Sequence, residues 1–163
     1  MNKSNYKNIL VVKHGSLGDI AFSLLAMGSI KKYFNDSNID LLTESRYANF
    51  LKKSGNFNTI LEDRRRGILN SLKVILRINK NNYDLIIDLQ NSKRTNYYWL
   101  LLKILSKSKI NGSRSNCDIR YMIPLQGTES PQRGLYNQLE LLGINQIIHD
   151  LEWLKTNTNE TSK

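Results

Sequence analysis

Short apolar runs and segments of helical period alternate five times along this chain of 163 residues. That alternation constrains the fold more than any other feature of the sequence. Ile9 to Val12 reads as a buried strand, and Ile20 to Phe34 as a helix whose apolar positions Ile20, Leu24, Met27 and Ile30 fall on one face. Ile39 to Thr43 is a second strand, Ser45 to Lys53 a helix that stops near Ser54-Gly55, and Asn58 to Leu61 a third strand. Ile68, Leu69, Leu72, Ile75, Leu76 and Ile78 recur at helical spacing. Tyr83 to Leu89 is the clearest later strand, followed by a helix over Ser92 to Ser106 and a short strand over Lys109 to Asn111. The expected class is therefore α/β, a Rossmann-like parallel sheet with helices on both faces and right-handed crossovers.

Beyond Gly112 the pattern weakens. Ser113 to Ser130 is expected to be a long loop, Gln132 to Leu142 a helix stopped by Gly143, and Ile147 to Leu154 an extended segment. The domain is expected to span residues 1–154, with 155–163 a polar tail or the start of a linker. The length suits one domain, and a hydrophobic content of 40% supplies a core.

The first residues lack the apolar core of a signal peptide, since Lys13 and His14 interrupt the run after Val12. The most lipid-like stretch, Tyr97 to Leu105, contains Lys103 and is far shorter than the roughly 20 residues that cross a bilayer. A cytoplasmic location is the expectation. Cys117 stands alone, which excludes an internal disulfide and a cysteine-based zinc site within one chain. His14 and His149 have no ligand partners at recognisable spacing, so neither a metal site nor a cofactor is expected.

The formal net charge of +10 is localised: residues 64–120 hold 13 of the 24 Lys and Arg but only 3 of the 14 Asp and Glu. Such a concentration draws polyanions or forms a solvated face. With Tyr97, Tyr98 and Trp99 as stacking groups it would also suit single-stranded nucleic acid. Those aromatics fit the buried side of a helix at least as well, and nucleic acid is not the expected partner.

Between the first strand and helix lies Lys13-His-Gly-Ser-Leu-Gly-Asp19. It is neither a P-loop nor the Gly-x-Gly-x-x-Gly dinucleotide pattern. Its glycines suit positive φ and close backbone approach to a ligand, and helix-start amides favour an anion. Asp19 has two readings: an acid interacting with the helix N-terminus, or a general base at the mouth of a cleft. The two pull apart, because a helix N-terminus lowers a carboxylate pKa whereas deprotonating a sugar hydroxyl benefits from a higher one.

This segment, with Ile39-Asp-Leu-Leu-Thr-Glu44 and Tyr83-Asp-Leu-Ile-Ile-Asp-Leu-Gln90 in the same order and spacing, resembles the lipopolysaccharide heptosyltransferases of glycosyltransferase family 9. The resemblance covers roughly residues 8–154. It implies the N-terminal, acceptor-binding half of a GT-B enzyme built from two facing Rossmann-like halves. The other half would bind a nucleotide-sugar donor, typically ADP-heptose, and would be a missing C-terminal domain or a partner chain.

Carried over by position, the family's general base falls on Asp19, with Ser16 and Gly18 shaping the turn around it. The family's basic run that contacts the lipid A inner core lands on Arg64, Arg65 and Arg66. Gln90 closes the later strand, Lys93 and Arg94 continue its rim, and Arg114 and Arg120 add to the same acceptor surface or are solvated loop arginines. An anionic glycolipid acceptor and peripheral contact with the inner face of the inner membrane follow from the resemblance. The chain departs from the family at His14-Gly15, at Phe22-Ser-Leu-Leu-Ala26 and at Asn91, which stands where the family has glycine. The competing reading is a non-catalytic binding module for anionic glycolipid.

Overall fold

In a computed structural model, residues 6–64, 66–124 and 128–155 are described. Arg65 and residues 156–163, which make up most of the expected tail, lie outside them. Six strands form one sheet: β1 (Asn8–Val12), β2 (Asn38–Thr43), β3 (Ile60–Glu62), β4 (Leu85–Asp88), β5 (Lys109–Gly112) and β6 (Ile119–Arg120). Every pairing is parallel and the order is β3-β2-β1-β4-β5-β6. The helices are α1 (Leu17–Tyr33), α2 (Ser45–Lys52), α3 (Gly67–Lys80), α4 (Lys93–Leu105), α5 (Pro131–Glu140) and the single turn α6 (Glu152–Lys155).

The sheet is apolar on both sides because helices cover both sides. Along β1 the side chains alternate: Ile9 and Val11 enter a core with Leu24, Met27 and Leu139, while Leu10 and Val12 enter a second core with Ile75, Tyr98 and Trp99. Helices α1, α2 and α5 therefore cover one face, and α3 and α4 the other. The expected stripe of α1 is the observed one, with Ile20, Leu24, Met27 and Ile30 all buried.

Three expectations need correction. The loop after Gly112 contains β6, which returns parallel to β5 across residues 113–118 alone, although parallel neighbours ordinarily need a crossover of about a dozen residues. Side chains make the short return: the Asp118 carboxylate accepts from Ile110 N at 3.0 Å, and Asn111 Nδ2 donates to Ile119 O at 3.1 Å. The segment near residue 150 is not extended to its end, because α6 turns Trp153 back onto Phe50, with ring centroids 5.2 Å apart. Gly18 is not a turn residue with positive φ but a helical one, and only Gly15 of the pair has positive φ.

Cys117 packs in the second core, where burial, followed by the charge of Asp88, pushes its thiol from an ordinary 9.0 to about 11. A disulfide reagent is expected to label it only after unfolding, and a fast-reacting native thiol would contradict this. Because the unfolded thiol ionises first, stability is expected to fall as pH rises from 9.0 toward about 11, by urea titration at stepped pH.

Candidate functional site

In a doubly wound sheet the ligand crevice opens at the carboxyl ends of the strands, where the chain order reverses. Here the reversal lies between β1 and β4, and the segments that leave those strands are Lys13 to Ser16 and Leu89 to Ser92. They are tied together: Gln90 Oε1 accepts from His14 N at 3.0 Å and Gly15 N at 3.4 Å, and Lys13 Nζ donates to Leu89 O at 3.2 Å.

Gly15 makes this approach sterically workable. Its φ is +153°, and a Cβ there would lie 2.5 Å from Tyr47 Cε2. The following peptide bond, Gly15–Ser16, is cis. Gly15→Ala is expected to cost roughly 2–4 kcal/mol, from unfavourable φ and overpacking together. Gly18→Ala meets nothing within 4 Å and is expected to be neutral or stabilising by up to about 1 kcal/mol. Paired urea titrations check the contrast, and equal effects would contradict it.

Asp19 occupies the third position of α1. Its Oδ2 accepts from Ser16 N at 2.9 Å and Ser16 Oγ at 3.2 Å, the reciprocal half of a capping box. The side chain is nevertheless exposed and lines a cleft of about 380 Å³ together with Lys13, Phe22, Gln90, Asn91, Tyr121 and Leu135. Asp19 thus caps the helix and lines the cleft.

Lys13 is a cleft residue that the sequence pattern contains without assigning it a role. It is 6% exposed, and burial lowers its pKa, an effect that the charges of Asp19 and Asp88 oppose. The only signal in the sequence is a lysine placed directly after a fully apolar strand. Glu129 also lines the cleft, its carboxylate held by the Tyr121 hydroxyl at 2.7 Å and by Asn137 Nδ2. Nothing in the weakly patterned loop around Glu129 marks it out.

Asp88 and Asn91 hold the turn that follows β4. Asp88 is fully buried; its Oδ1 accepts from Gln90 N at 3.0 Å and Asn91 N at 2.9 Å, and its Oδ2 from Trp99 Nε1 at 2.7 Å. Burial raises the Asp88 pKa, and these donors, Trp99 foremost, pull it back. Asn91 has φ +49°, a left-handed conformation that asparagine tolerates better than other non-glycine residues. Its side chain adds what glycine lacks: Nδ2 donates to Gln138 Oε1 at 2.7 Å, and Oδ1 accepts from Ser113 N at 2.7 Å. The turn is thereby fastened to α5 and to the segment after β5.

The remaining sequence candidates divide among separate recesses along the same rim. Arg64 and Arg66 line one of about 590 Å³ with Arg46 and Glu44. Arg114 and Arg120 line another of about 330 Å³ with Asn96 and Ser115. Lys93 opens α4 and is exposed. Arg94 turns inward instead: its Nη2 lies 3.6 Å from Asp63 Oδ1, and its Nε donates to the Tyr98 hydroxyl. Asp63, absent from the sequence candidates, is wholly buried and also meets His14 Nε2 at 3.2 Å and the Tyr98 hydroxyl at 2.9 Å. The rim can thus hold a hydroxyl-rich ligand against Asp19 and Gln90, with cationic recesses on either side for anionic groups.

The chain is 26% identical over 112 residues to lipopolysaccharide heptosyltransferase 1 of Campylobacter coli, a match covering 66% of this chain and 31% of that protein. The glycosyl transferase family 9 protein of Veillonella parvula superposes with a TM-score of 0.67 at 17% identity, over 96% of this chain and 49% of that one. The similarity is to the lipopolysaccharide heptosyltransferases. E. coli heptosyltransferase WaaC, solved with ADP-2-deoxy-2-fluoro heptose, gives 0.62 at 16% identity, covering 91% of this chain and 54% of its own. E. coli ADP-heptose LPS heptosyltransferase II gives 0.64 at 13%, over 95% and 50%. No family model matches the chain. The matched part of the curated heptosyltransferase is about a third of its length, and the solved heptosyltransferases are about twice as long as the region they share with this chain.

Proposed function

We propose that this chain is the acceptor-binding, base-carrying half of a heptosyltransferase-like glycosyltransferase of GT-B architecture. The observation that carries the reading is an exposed carboxylate, Asp19, at the mouth of the switch-point cleft, in a chain similar in sequence to a heptosyltransferase and in fold to several. The acceptor is an anionic lipopolysaccharide core glycolipid. Its sugar lies in the cleft against Gln90 and Asp19, and its phosphate or carboxylate groups meet Arg64 and Arg66, with Arg114 and Arg120 on the opposite flank.

In the reaction Asp19 takes the proton of the acceptor hydroxyl as that oxygen attacks the anomeric carbon of the donor. The bond from that carbon to the diphosphate breaks, and the diphosphate leaves with the electron pair, inverting the centre. Lys13 sits close enough to Asp19 and Asp88 for both charges to oppose the lowering of its pKa by burial. The donor, an ADP-heptose-type nucleotide sugar, is held by a second domain or partner chain, which supplies the groups that stabilise the leaving diphosphate. The working position is at the cytoplasmic face of the inner membrane, where such an acceptor is available.

One observation favours the alternative of a non-catalytic glycolipid-binding module: the Asp19 carboxylate is already engaged by Ser16. The deciding experiment mixes the chain with lipid A core acceptor and ADP-heptose, with and without a complementary donor-binding half. Transfer that depends on both halves is the expected result. Binding of acceptor without transfer under either condition would leave the binding module, and strong turnover by the chain alone would overturn the half-enzyme reading.

A further inference from the structure

Among the described residues, the charged side chains that line the Asp19 cleft are Lys13, Asp19 and Glu129. Two of the three are acids. The one cation, Lys13, is 6% exposed; its Nζ donates to Leu89 O, and the charges of Asp19 and Asp88 lie near it. Arg133 is close enough for its charge to reach Tyr121, but it is exposed and does not line the cleft. Arg114 and Arg120 stand in the adjoining recess, which shares Ser113 and Ile123 with the cleft. A carboxylate or phosphate on the ligand unit inside the cleft would therefore face two carboxylates, whereas the same group on a neighbouring unit would meet arginines.

Glu129 is fixed in place and still has acceptor capacity. The Tyr121 hydroxyl lies 2.9 Å from its Oε1 and 2.7 Å from its Oε2, and Asn137 Nδ2 donates to Oε1. A carboxylate offers about four lone-pair directions, so these two donors leave others for ligand hydroxyls. Helix α5 accommodates the carboxylate at Gly134, where an added Cβ would lie 3.0 Å from Glu129 Oε2. Glycine is a poor helix former, and this close approach is what it permits here.

Phe22 supplies the other kind of contact. It follows Asp19 by three residues on α1, which places both on one helix face, and it is 55% exposed where it lines the cleft. Ile123 and Leu135 extend the apolar lining. A pyranose has an apolar C–H face and a rim of hydroxyls; an aromatic ring takes the first and a carboxylate the second. Phe22 also opens the segment where this chain departs from the heptosyltransferase pattern, so the lining is this chain's own. We propose that the cleft seats an uncharged pyranose, with Phe22 against its C–H face and Glu129 accepting from its hydroxyls, and that these two residues select against sugar acids. Under the acceptor reading, on which this rests, the seated ring carries the hydroxyl that Asp19 deprotonates, and the anionic groups of the glycolipid sit on other units.

The experiment titrates the isotopically labelled full chain with the methyl pyranosides of glucose, galactose and mannose, each beside its uronic acid counterpart, and follows the side-chain amides of Gln90 and Asn137 by NMR. At least one neutral pyranoside is expected to shift both amides saturably, and its uronate to bind about fivefold or more weakly. Phe22→Ala and Glu129→Gln are each expected to weaken neutral binding about tenfold. Their melting curves are expected to be retained, since neither side chain is buried. Gly134→Ala is expected to weaken binding about threefold, by crowding Glu129 while keeping its charge. No shift with any neutral pyranoside, uronates that bind as tightly, or unchanged binding by either the Phe22 or the Glu129 variant would overturn the proposal. Pyranoside binding by a chain that transfers no sugar with its donor half would keep the seat and overturn the transferase reading. Sugar transfer without pyranoside binding would overturn the seat alone.

Discussion

Asp19→Asn is expected to reduce sugar transfer, measured with the complementary donor half, by roughly 10²–10⁴-fold while leaving acceptor affinity nearly unchanged. The asparagine oxygen still accepts from Ser16 N, so the helix start is preserved and stability should fall by no more than about 1 kcal/mol. This separates the capping role from the proposed catalytic one. Asp19→Ala loses both, so its rate loss should match that of asparagine while its stability loss is larger. If the asparagine variant keeps its full rate and only the alanine variant is impaired, Asp19 is a helix cap and not the base.

Asp63→Ala is expected to destabilise the fold by about 3–5 kcal/mol, the range for removing one partner from a buried charged network. Asp63 is inaccessible to solvent and meets His14, Arg94, Tyr98 and Asn70 through its two oxygens. Its loss strands a buried imidazole and leaves the Arg94 guanidinium without its counter-charge. Asp63→Asn keeps an acceptor for Tyr98 but not the charge, and is expected to fall between alanine and wild type. Urea unfolding read by Trp fluorescence reports all three, because Trp99 lies in the adjoining core. A cost below about 1 kcal/mol for the alanine variant would show that the network contributes little to the rim.

Gly15→Ala tests the same rim from the backbone. The substitution acts at the turn that Gln90 ties to β4, so its cost measures how tightly that junction is packed rather than how well a helix forms.

The legible parts of the chain were those governed by local physics. The buried stripe of α1 follows from a 3.6-residue period and the two-sided burial of β1 from an unbroken apolar run, and both emerged where the sequence placed them. β6 was not legible, because a strand of two residues has no period to detect; side chains of Asp118 and Asn111 distant from any motif secure it. The inward turn of Arg94 was hidden for a similar reason. Its partner Asp63 lies 31 positions earlier, directly before a run of arginines that reads as pure surface charge.

The sequence by itself determined an α/β domain with a carboxylate delivered to a strand-end turn, since apolar period, helix capping and glycine conformation act within a few residues. It also fixed the total positive charge, which is a sum over side chains. Only the tertiary structure decided how that charge is spent. Chain reversal between β1 and β4 brings Asp19, Lys13 and Gln90 to one cleft, while packing sends Arg94 inward to Asp63 and leaves Arg64, Arg66, Arg114 and Arg120 in recesses on the rim. Distances between residues far apart in the chain are set by the sheet order, and no local preference encodes them.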